Sequence, residues 1–337
     1  MSHTFFKSKN ILITGGTGSF GQAFARKLLT EDECNKVIIM SRDEWKQWEM
    51  KKSDPIFNHS KIRYFLGDVR DSKRLERAFN EVHFIVHAAA LKQVPAAEYN
   101  PSEFVLTNVI GGMNVADAAI DCGVEKVIFL STDKAVNPIN LYGATKLCAD
   151  KLVVAANAYV GARGYPKFSV VRYGNVSGSR GSIVPLWRSM IAQGAKSLPL
   201  TDERMTRFWI TLEQAVEFVE NRFQDMCGEE IFVPKSPSIH LTDLAKAIAP
   251  DYPHEYIGIR PGEKLHESLV SIEDARHTIE REDYFLILPE KVLDEPKKYK
   301  MFLEKQKGQL LPEGFAYTSD TNKDWLNVEQ IREVIKE

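Results

Sequence analysis

Short apolar, β-branched runs recur through the first half of the chain: "NILIT" (10–14), "KVIIM" (36–40), "IRYFL" (62–66), "FIVHA" (84–88), "KVIFLS" (126–131) and "FSVVR" (168–172). They are apolar throughout rather than alternating, which suits strands of a parallel sheet covered on both faces. Between them lie stretches with helical spacing, such as "GQAFARKLL" and "LTNVIGGMNVADAAIDCG", the latter expected to stop at Gly123. Repeated β-α-β units with right-handed crossovers predict an α/β fold built on a doubly wound parallel sheet.

After residue 175 the alternation breaks down and Pro and Gly become frequent, as in "GNVSGSRGSIVP" and "GIRPGEK". This half predicts a smaller C-terminal substrate-binding lobe, with residues 1–175 forming the main domain and 176–337 mainly the lobe. The run "GEEIFVP" (228–234) reads as one more strand returning to the main sheet. "LTDLAKAIA" (241–249), with Thr242 near its start, and the terminal "NVEQIREVIKE" read as helices.

Composition narrows the class. The chain has 337 residues, 44% hydrophobic and 27% charged, with a formal net charge of −2. Such a balance gives no reason to expect nucleic acid or an anionic membrane as a partner. No apolar run approaches the length of a membrane span. The first strand begins at Asn10, which leaves no room for a signal peptide, so a cytoplasmic location is expected. Cys34, Cys122, Cys148 and Cys227 are scattered and read as reduced thiols, with no metal site expected.

"ITGGTGSFG" follows the first strand and opens a helix, satisfying Gly15-x-x-Gly18-x-x-Gly21 and Gly16-x-Gly18-x-x-Gly21. Glycines there let the backbone turn tightly and approach a pyrophosphate, while the helix start offers N–H groups and a positive dipole end. Gly15, Thr17, Gly18, Ser19, Phe20 and Gly21 are the expected dinucleotide contacts of this Rossmann-type unit. At the end of the second strand stand Ser41, Arg42 and Asp43, with Lys46 one helical turn on. Arg42 can pair with a 2′-phosphate, which favours NADP; the alternative gives the ribose to Asp43. Asp68 and Val69 in "GDVRD" are expected at the adenine. Ala88, opening the "AAALK" turn, is expected where cofactor passes close to backbone.

Tyr142 and Lys146 are four apart on a helix and so share a face. A free phenol titrates near ~10, too high for a base at neutral pH; lowering that by ~3 units takes ~4 kcal/mol of differential stabilisation. The Lys146 ammonium favours phenolate, so Tyr142 can accept a hydroxyl proton while hydride leaves the same carbon. Thr132, after the fifth strand, can orient the substrate alcohol. Asp133-Lys134 beside it is an acid–base pair that a simple alcohol oxidation does not require.

The stretches "TGGTGSFG", "SRDE", "GDVRD", "HAAALKQVPAAEYNP", "STDKAVNPINLYGATK", "RYGNVSGSRGSIVP", "MTRFWIT" and "IGIRPGEKLHE" cover most of residues 14–267. On them the chain resembles the extended short-chain dehydrogenase/reductases of the sugar-nucleotide branch. Within that branch it is similar to the inverting UDP-N-acetylglucosamine 4,6-dehydratases that open pseudaminic acid biosynthesis. The resemblance implies C4 oxidation, loss of the C5 proton and the C6 hydroxyl as water, hydride return to C6 and inversion at C5. It implies tightly held NADP regenerated each turnover, Lys134 as the C5 base and Asp133 as the acid toward the C6 oxygen. Retaining relatives carry Asp-Glu where this chain has Asp133-Lys134. Relatives feeding other amino-sugar pathways carry Met-Gly-x-x-Lys where it has Tyr142-Gly143, and nothing in the chain matches the membrane part of the large tethered dehydratases.

For a UDP-sugar the expected diphosphate grips are Arg180, Arg207 and Arg260. By resemblance Asn175 and Val176 meet substrate and nicotinamide, Arg260 and Glu263 the nucleotide, and Ser131 and Lys92 the cofactor, with Lys92 also facing the sugar. "YTSDTN" (317–322) is a candidate to close over the uridine. A lysine base needs its pKa brought down by desolvation and neighbouring cations. His87 reads as a packed core residue, and Trp45 and Trp48 as one helix face set against the body or a neighbouring subunit. The resemblance also implies a homo-oligomer, a dimer or larger assembly up to a hexamer. Two other functions fit parts of the pattern: a nucleotide-sugar 4-epimerase or ketoreductase, which has no use for Asp133-Lys134, and a non-catalytic NADP sensor, which would be expected to lack the Tyr142–Lys146 pair.

Overall fold

A computed structural model describes residues 5–31, 34–290, 297 and 308–335. The chain divides into two compact units. The first comprises Met1–Ser131, Ala144–Val171 and Val216–Phe232; the second comprises Thr132–Gly143, Arg172–Ala215 and Val233–Glu337. A single cut near residue 175 is therefore replaced by a chain that changes unit repeatedly. It leaves the first unit at the end of its fifth strand, returns inside the following helix, and returns again at Val216 to supply a helix and the expected extra strand.

In the first unit the elements follow in order: β1 (Asn10–Thr14), α1 (Ser19–Glu31), β2 (Lys36–Ser41), α2 (Glu44–Ser53), β3 (Ile62–Leu66), α3 (Ser72–Phe79), β4 (Phe84–His87), α4 (Val94–Tyr99), α5 (Pro101–Phe104), a π-helical stretch Val105–Ile110, α6 (Gly111–Asp121), β5 (Lys126–Thr132), α7 (Leu141–Ala156) and β6 (Lys167–Tyr173). Each strand falls within two residues of its sequence-predicted range. The sheet order is β6-β5-β4-β1-β2-β3, with Ile231–Pro234 outside β6 in parallel register, Ile231 beside Val170. The chain thus winds outward from β1 in both directions, and the switch lies between β1 and β4. β1 is buried along its whole length.

Two close approaches fix the helices of this unit. A Cβ on Gly21 would stand 2.5 Å from the Cα of Gly16, so α1 can cross β1's turn only with glycine at that point. A Cβ on Gly111 would stand 2.7 Å from Val69 Cγ2. The long helix expected before Gly123 is interrupted by its π-turn, which directs Asn108 inward. Asn108 accepts from Leu91 N at 2.8 Å and donates to Leu91 O at 2.9 Å and Thr145 Oγ1 at 3.0 Å. Single-turn π segments of this kind often mark a functional position.

The second unit holds a small sheet in which Thr206–Ile210 lies between Asn175–Val176, parallel, and Ser238–His240, antiparallel. Its core gathers Trp187, Trp209, Leu244 and Ile331. The helix Leu241–Ile248 begins after His240, which makes no side-chain cap, with Thr242 in its first turn. The terminal helix Val328–Val334 starts from a capping box of Asn327 with Gln330; Lys336 and Glu337 of the expected helix lie outside the described residues. The segment 317–322 is built into this unit and does not stand as a free flap. Tyr317 exchanges hydrogen bonds with the Ser236 backbone, and Ser319 is fully buried. Trp45 and Trp48 are exposed and stack on each other at 4.5 Å with Lys52 Nζ over Trp48, so they are not packed into their own unit.

Because the Gly21–Gly16 contact is backbone on backbone, Gly21→Ala should destabilise the protein by roughly 1–3 kcal/mol, the usual size of overpacking in a fixed core. Urea unfolding checks this; a midpoint unchanged from wild type would show that α1 can retreat from β1 without loss.

Candidate active site

The glycine turn carries the geometry a dinucleotide needs. Gly15 sits at φ +64°, and a Cβ there would meet Ala89 backbone at 2.8 Å. Gly18 N donates to Gly15 O at 2.9 Å, closing the turn, and α1 begins at Ser19. The first-turn N–H groups of such a helix have no acceptor within the helix. Thr17 is buried, while Ser19 and Phe20 are half-buried. Ala88 N donates to Thr14 O, which holds the β4 end against β1. These residues fit a pyrophosphate passing over the turn.

Beyond β2 and β3 opens a surface cavity of about 460 Å³, lined by Arg42, Leu66, Gly67, Asp68, Asp71 and Arg74. Arg42 is exposed, with Asp68 Oδ2 4.0 Å from its guanidinium. Asp43 is occupied otherwise: it caps α2, accepting from Lys46 N at 3.1 Å, and pairs with Lys46 Nζ at 3.3 Å. Ser41 is tied down by Gln47 at 3.1 Å. Asp68 is bound by Arg70 through both carboxylate oxygens, and Val69 is buried. The cavity thus presents two arginines, Arg42 and the unforeseen Arg74.

The hydride-side residues of the first unit are buried. Lys146 Nζ donates to Leu130 O at 2.7 Å, and burial lowers its pKa, with Asp150 opposing that effect. Asp150 in turn accepts from Ser131 Oγ at 2.8 Å. His87 bonds Thr14 Oγ1 at 2.8 Å and packs on Phe129, the core role expected for it. Burial, with the Lys146 ammonium adding, pulls the His87 pKa down to about 3. Asp150 and Asn108 were not foreseen; only their spacing from Lys146 and "HAAALK" hinted at them. Lys92 is exposed on the turn that Asn108 holds.

The second unit holds an ionic cluster around Lys134. At the end of β5, Thr132 Oγ1 donates to Asp133 Oδ1 at 2.9 Å and accepts from Lys134 N at 3.4 Å, capping a 3-10 turn. Lys134 Nζ lies 3.1 Å from Asp133 Oδ1 and 3.3 Å from Glu267 Oε1. Arg207 Nε is 3.9 Å from the same Glu267 oxygen, and Lys264 Nζ is 3.9 Å from the other. Asp133 and Glu267 are both buried, and each leaves one oxygen, Asp133 Oδ2 and Glu267 Oε2, without a hydrogen bond. A Cβ on Gly143 would collide with the Lys134 carbonyl, so the glycine after Tyr142 lets the 3-10 turn close on the start of α7. Tyr142 is itself buried.

Lys134 departs from expectation. Burial pushes its pKa down, but the Asp133 and Glu267 carboxylates outweigh burial and the Arg207 cation, and hold the ammonium above the ordinary lysine range. Neighbouring anions, not cations, dominate its surroundings. Arg207 also differs from a free diphosphate grip. It is buried, and its nitrogens are spent on Thr206 O, Leu265 O, Lys264 O and Met205 Sδ because the 264–265 segment wraps around the strand that carries it. Arg260 is exposed and held in a fork by Glu263 at 2.6 and 3.0 Å; Arg180 is exposed too. Asn175 Oδ1 is buried without a hydrogen-bond partner, beside the half-buried Val176. No helix among the described residues is long and apolar enough to cross a membrane.

Residues 11–289 match the family model described as polysaccharide biosynthesis protein. The chain is 53% identical over 331 residues to a Campylobacter jejuni protein named UDP-N-acetylglucosamine 4,6-dehydratase (inverting), covering 98% of each. It is 42% identical to a Rickettsia massiliae protein named UDP-glucose 4-epimerase, covering 98% of this chain and 96% of that one. Among solved structures, Pen from Bacillus thuringiensis superposes with a TM-score of 0.87 at 35% identity, covering 98% of each chain.

The depressed His87 pKa has a consequence for stability. Between about 3 and the unfolded value near ~6.5, the unfolded chain takes up a proton that the folded chain refuses. The stabilisation is therefore fully present above that window and is lost as pH falls through it, by up to about 1.4 kcal/mol per pH unit. His87→Asn should show a shallower loss than wild type between pH 6.5 and 4 in urea unfolding. Parallel slopes in the two proteins would place the proton elsewhere.

Proposed function

The chain belongs to the polysaccharide biosynthesis protein family, and from that premise we propose that it is an NADP-dependent inverting 4,6-dehydratase acting on UDP-N-acetylglucosamine. One observation carries the reading. The strand end leading to the Tyr142–Lys146 helix also bears the buried Asp133 paired with the half-buried Lys134. Oxidation and reduction alone need only the tyrosine–lysine pair; removing a C5 proton and a C6 hydroxyl needs a second acid and base. The relative named as such a dehydratase, at 53% identity, supports it.

Held by the Gly15–Gly21 turn and by Arg42, a bound NADP would supply a hydride store between the oxidation at C4 and the reduction at C6. Tyr142 accepts the O4 proton, and the buried Lys146 ammonium favours the phenolate that does so. Thr132, whose hydrogen goes to Asp133, has a lone pair left to steer the sugar hydroxyl. With C4 a ketone, the C5–H bond is acidified. The Lys134 ammonium passes its proton to the Asp133 carboxylate 3.1 Å away, and the free amine then takes the proton from C5. Asp133 delivers a proton to the departing C6 oxygen through Oδ2, the oxygen with no hydrogen-bond partner. C5 is then reprotonated on the opposite face with the proton that Tyr142 took from O4, passed directly or through a water, which closes the proton balance. Arg260, aimed by Glu263, meets the diphosphate from its exposed position, and Asn175 meets the sugar. Arg42 and Arg74 at the adenosine end favour NADP over NAD, because Asp43 is already spent on the α2 cap.

The product is the 4-keto-6-deoxy sugar with which pseudaminic acid synthesis begins, and we assign the chain to that step in the cytoplasm. Val105, Leu106, Ile110 and Met113 expose an apolar row on one helical stretch, which supports a homo-oligomer. The epimerase reading draws on the Rickettsia relative. It leaves the Lys134 cluster without a task.

Two outcomes test this. With UDP-N-acetylglucosamine in deuterated water, the enzyme should form a product one water lighter, carrying deuterium at C5 on the face opposite the original hydrogen. Lys134→Ala should lose at least about 100-fold in that rate, the usual share of a general base, while still accumulating reduced cofactor. A product of unchanged mass would establish epimerisation instead. For the cofactor, Arg42→Ala should weaken NADP binding in calorimetry by roughly ten- to hundredfold, the range of one charge-assisted hydrogen bond, and leave NAD binding nearly unaltered. Equal losses for both would refute the 2′-phosphate assignment.

A further inference from the structure

We propose that Glu267 is a positioning residue for the elimination, aiming the Lys134 amine and setting the pH at which that amine becomes a free base. The inference rests on the dehydratase reading and adds a residue to it. Glu267 Oε1 stands 3.3 Å from Lys134 Nζ, nearly as close as Asp133 Oδ1 at 3.1 Å, yet it comes from a distant part of the chain. Its backbone is fixed on both sides: Glu267 N donates to Ser319 Oγ at 3.0 Å, and Ser319 N donates to Glu267 O at 2.8 Å. Ser319 Oγ in turn meets Thr206 Oγ1 at 2.7 Å. The root of the side chain is therefore fixed opposite Lys134, and its carboxylate reaches the amine from that fixed point.

A merely structural carboxylate would be satisfied on all sides. Glu267 is buried with Oε2 lacking any hydrogen bond, and Lys264 Nζ stands 3.9 Å from that oxygen. Leaving a buried charge half-satisfied is unfavourable, and a glutamine or an apolar residue of the same size would suit a packing role better. Its partner Lys134 keeps about a quarter of its side chain exposed, 26%, so the pair ends at a surface that a ligand can reach. The charged groups around Lys134 are Asp133 on its own turn, Glu267 and Lys264 on the 260s segment, and Arg207 on the strand Thr206–Ile210. The two carboxylates raise the amine's proton affinity; Arg207 and burial lower it. Of the carboxylates, Asp133 is the neighbour assigned the proton relay to the leaving oxygen. Glu267 is left with the task of holding the base.

The test is the pH profile of kcat/KM for water loss, whose acid limb reports the free base form of Lys134. Glu267→Gln keeps the shape and removes the charge. Its acid limb should move about one to three units to lower pH, the effect of deleting one opposite charge at this range. kcat at the optimum should fall at least tenfold, because the amine is no longer aimed. An acid limb that stays in place, in a variant that still dehydrates, overturns the inference alone. A wild-type enzyme that releases no water overturns the functional reading and this inference with it. Should Glu267→Gln not fold, Glu267→Asp decides: with the carboxylate withdrawn by one methylene, the limb should move down by a smaller amount. An unmoved limb there also overturns the proposal.

Discussion

A lysine ammonium held between two buried carboxylates sets the terms for the second unit. Asp133 and Glu267 are buried and meet the Lys134 ammonium at 3.1 and 3.3 Å, and their attraction outweighs the cost of burying that ammonium. Much of the surrounding chain serves to keep the three in place. Thr132 caps the turn under Lys134, and Gly143 lets that turn close on the next helix. Lys264 donates to Val136 O at 2.5 Å, and Asn140 donates to Gly262 O at 2.7 Å, so the 260s segment is tied to the turn at two further points. Arg207, which satisfies four acceptors from its own surroundings, forms the floor.

The first unit depends on a different constraint, backbone meeting backbone. Its glycines do not merely permit flexibility: Gly21 touches Gly16, and Gly15 faces Ala89, at distances that exclude any side chain. That is why this half was so legible in the sequence. A turn that tolerates only glycine leaves a pattern that local reading recovers, and strands buried on both faces leave uninterrupted apolar runs. The return strand Ile231–Pro234 was readable for the same reason, since all its residues are buried. The π-turn before α6 was not. It arises from the contact of Gly111 with Val69 and the inward bonds of Asn108, and no local residue pattern encodes either partner.

The candidate site divides along the same line. Thr132, Asp133, Lys134, Tyr142 and Lys146 lie within fifteen residues, and their spacing on a strand end and a helix gives them away. Glu267, Asp150 and Arg74 each read as an ordinary charged residue until the fold supplies a partner. The two misjudged residues fail for a related reason. Arg207 looked like a free cation because "MTRFW" does not reveal that the 264–265 carbonyls will surround it. For Lys134 the expectation of neighbouring cations follows from a base's need for a lowered pKa, and the sequence does not reveal that Glu267 will stand beside Asp133 at its amine.

The elevated proton affinity of Lys134 bears on what kind of base the reaction uses. A carbon acid such as C5–H, even beside a ketone, gives up its proton reluctantly, and a stronger base moves that transition state in its favour. Strength and availability pull in opposite directions, because a base of high pKa is mostly protonated near neutral pH. Lowering the pKa would make the free amine common but weak; raising it makes the amine rare but strong. In this cluster the balance is set by four cations, Lys134, Arg207, Lys264 and Arg260, against three carboxylates, Asp133, Glu267 and Glu263. The excess is one positive charge, and an arriving diphosphate more than cancels it, so substrate binding by itself does not strip the proton from Lys134. Proton release must instead follow a local change beside the amine. Asp133 is the group able to make that change. On the dehydratase reading proposed above, a proton passed from Lys134 to Asp133 would remove one of the two anions holding the ammonium and free the amine in the same event.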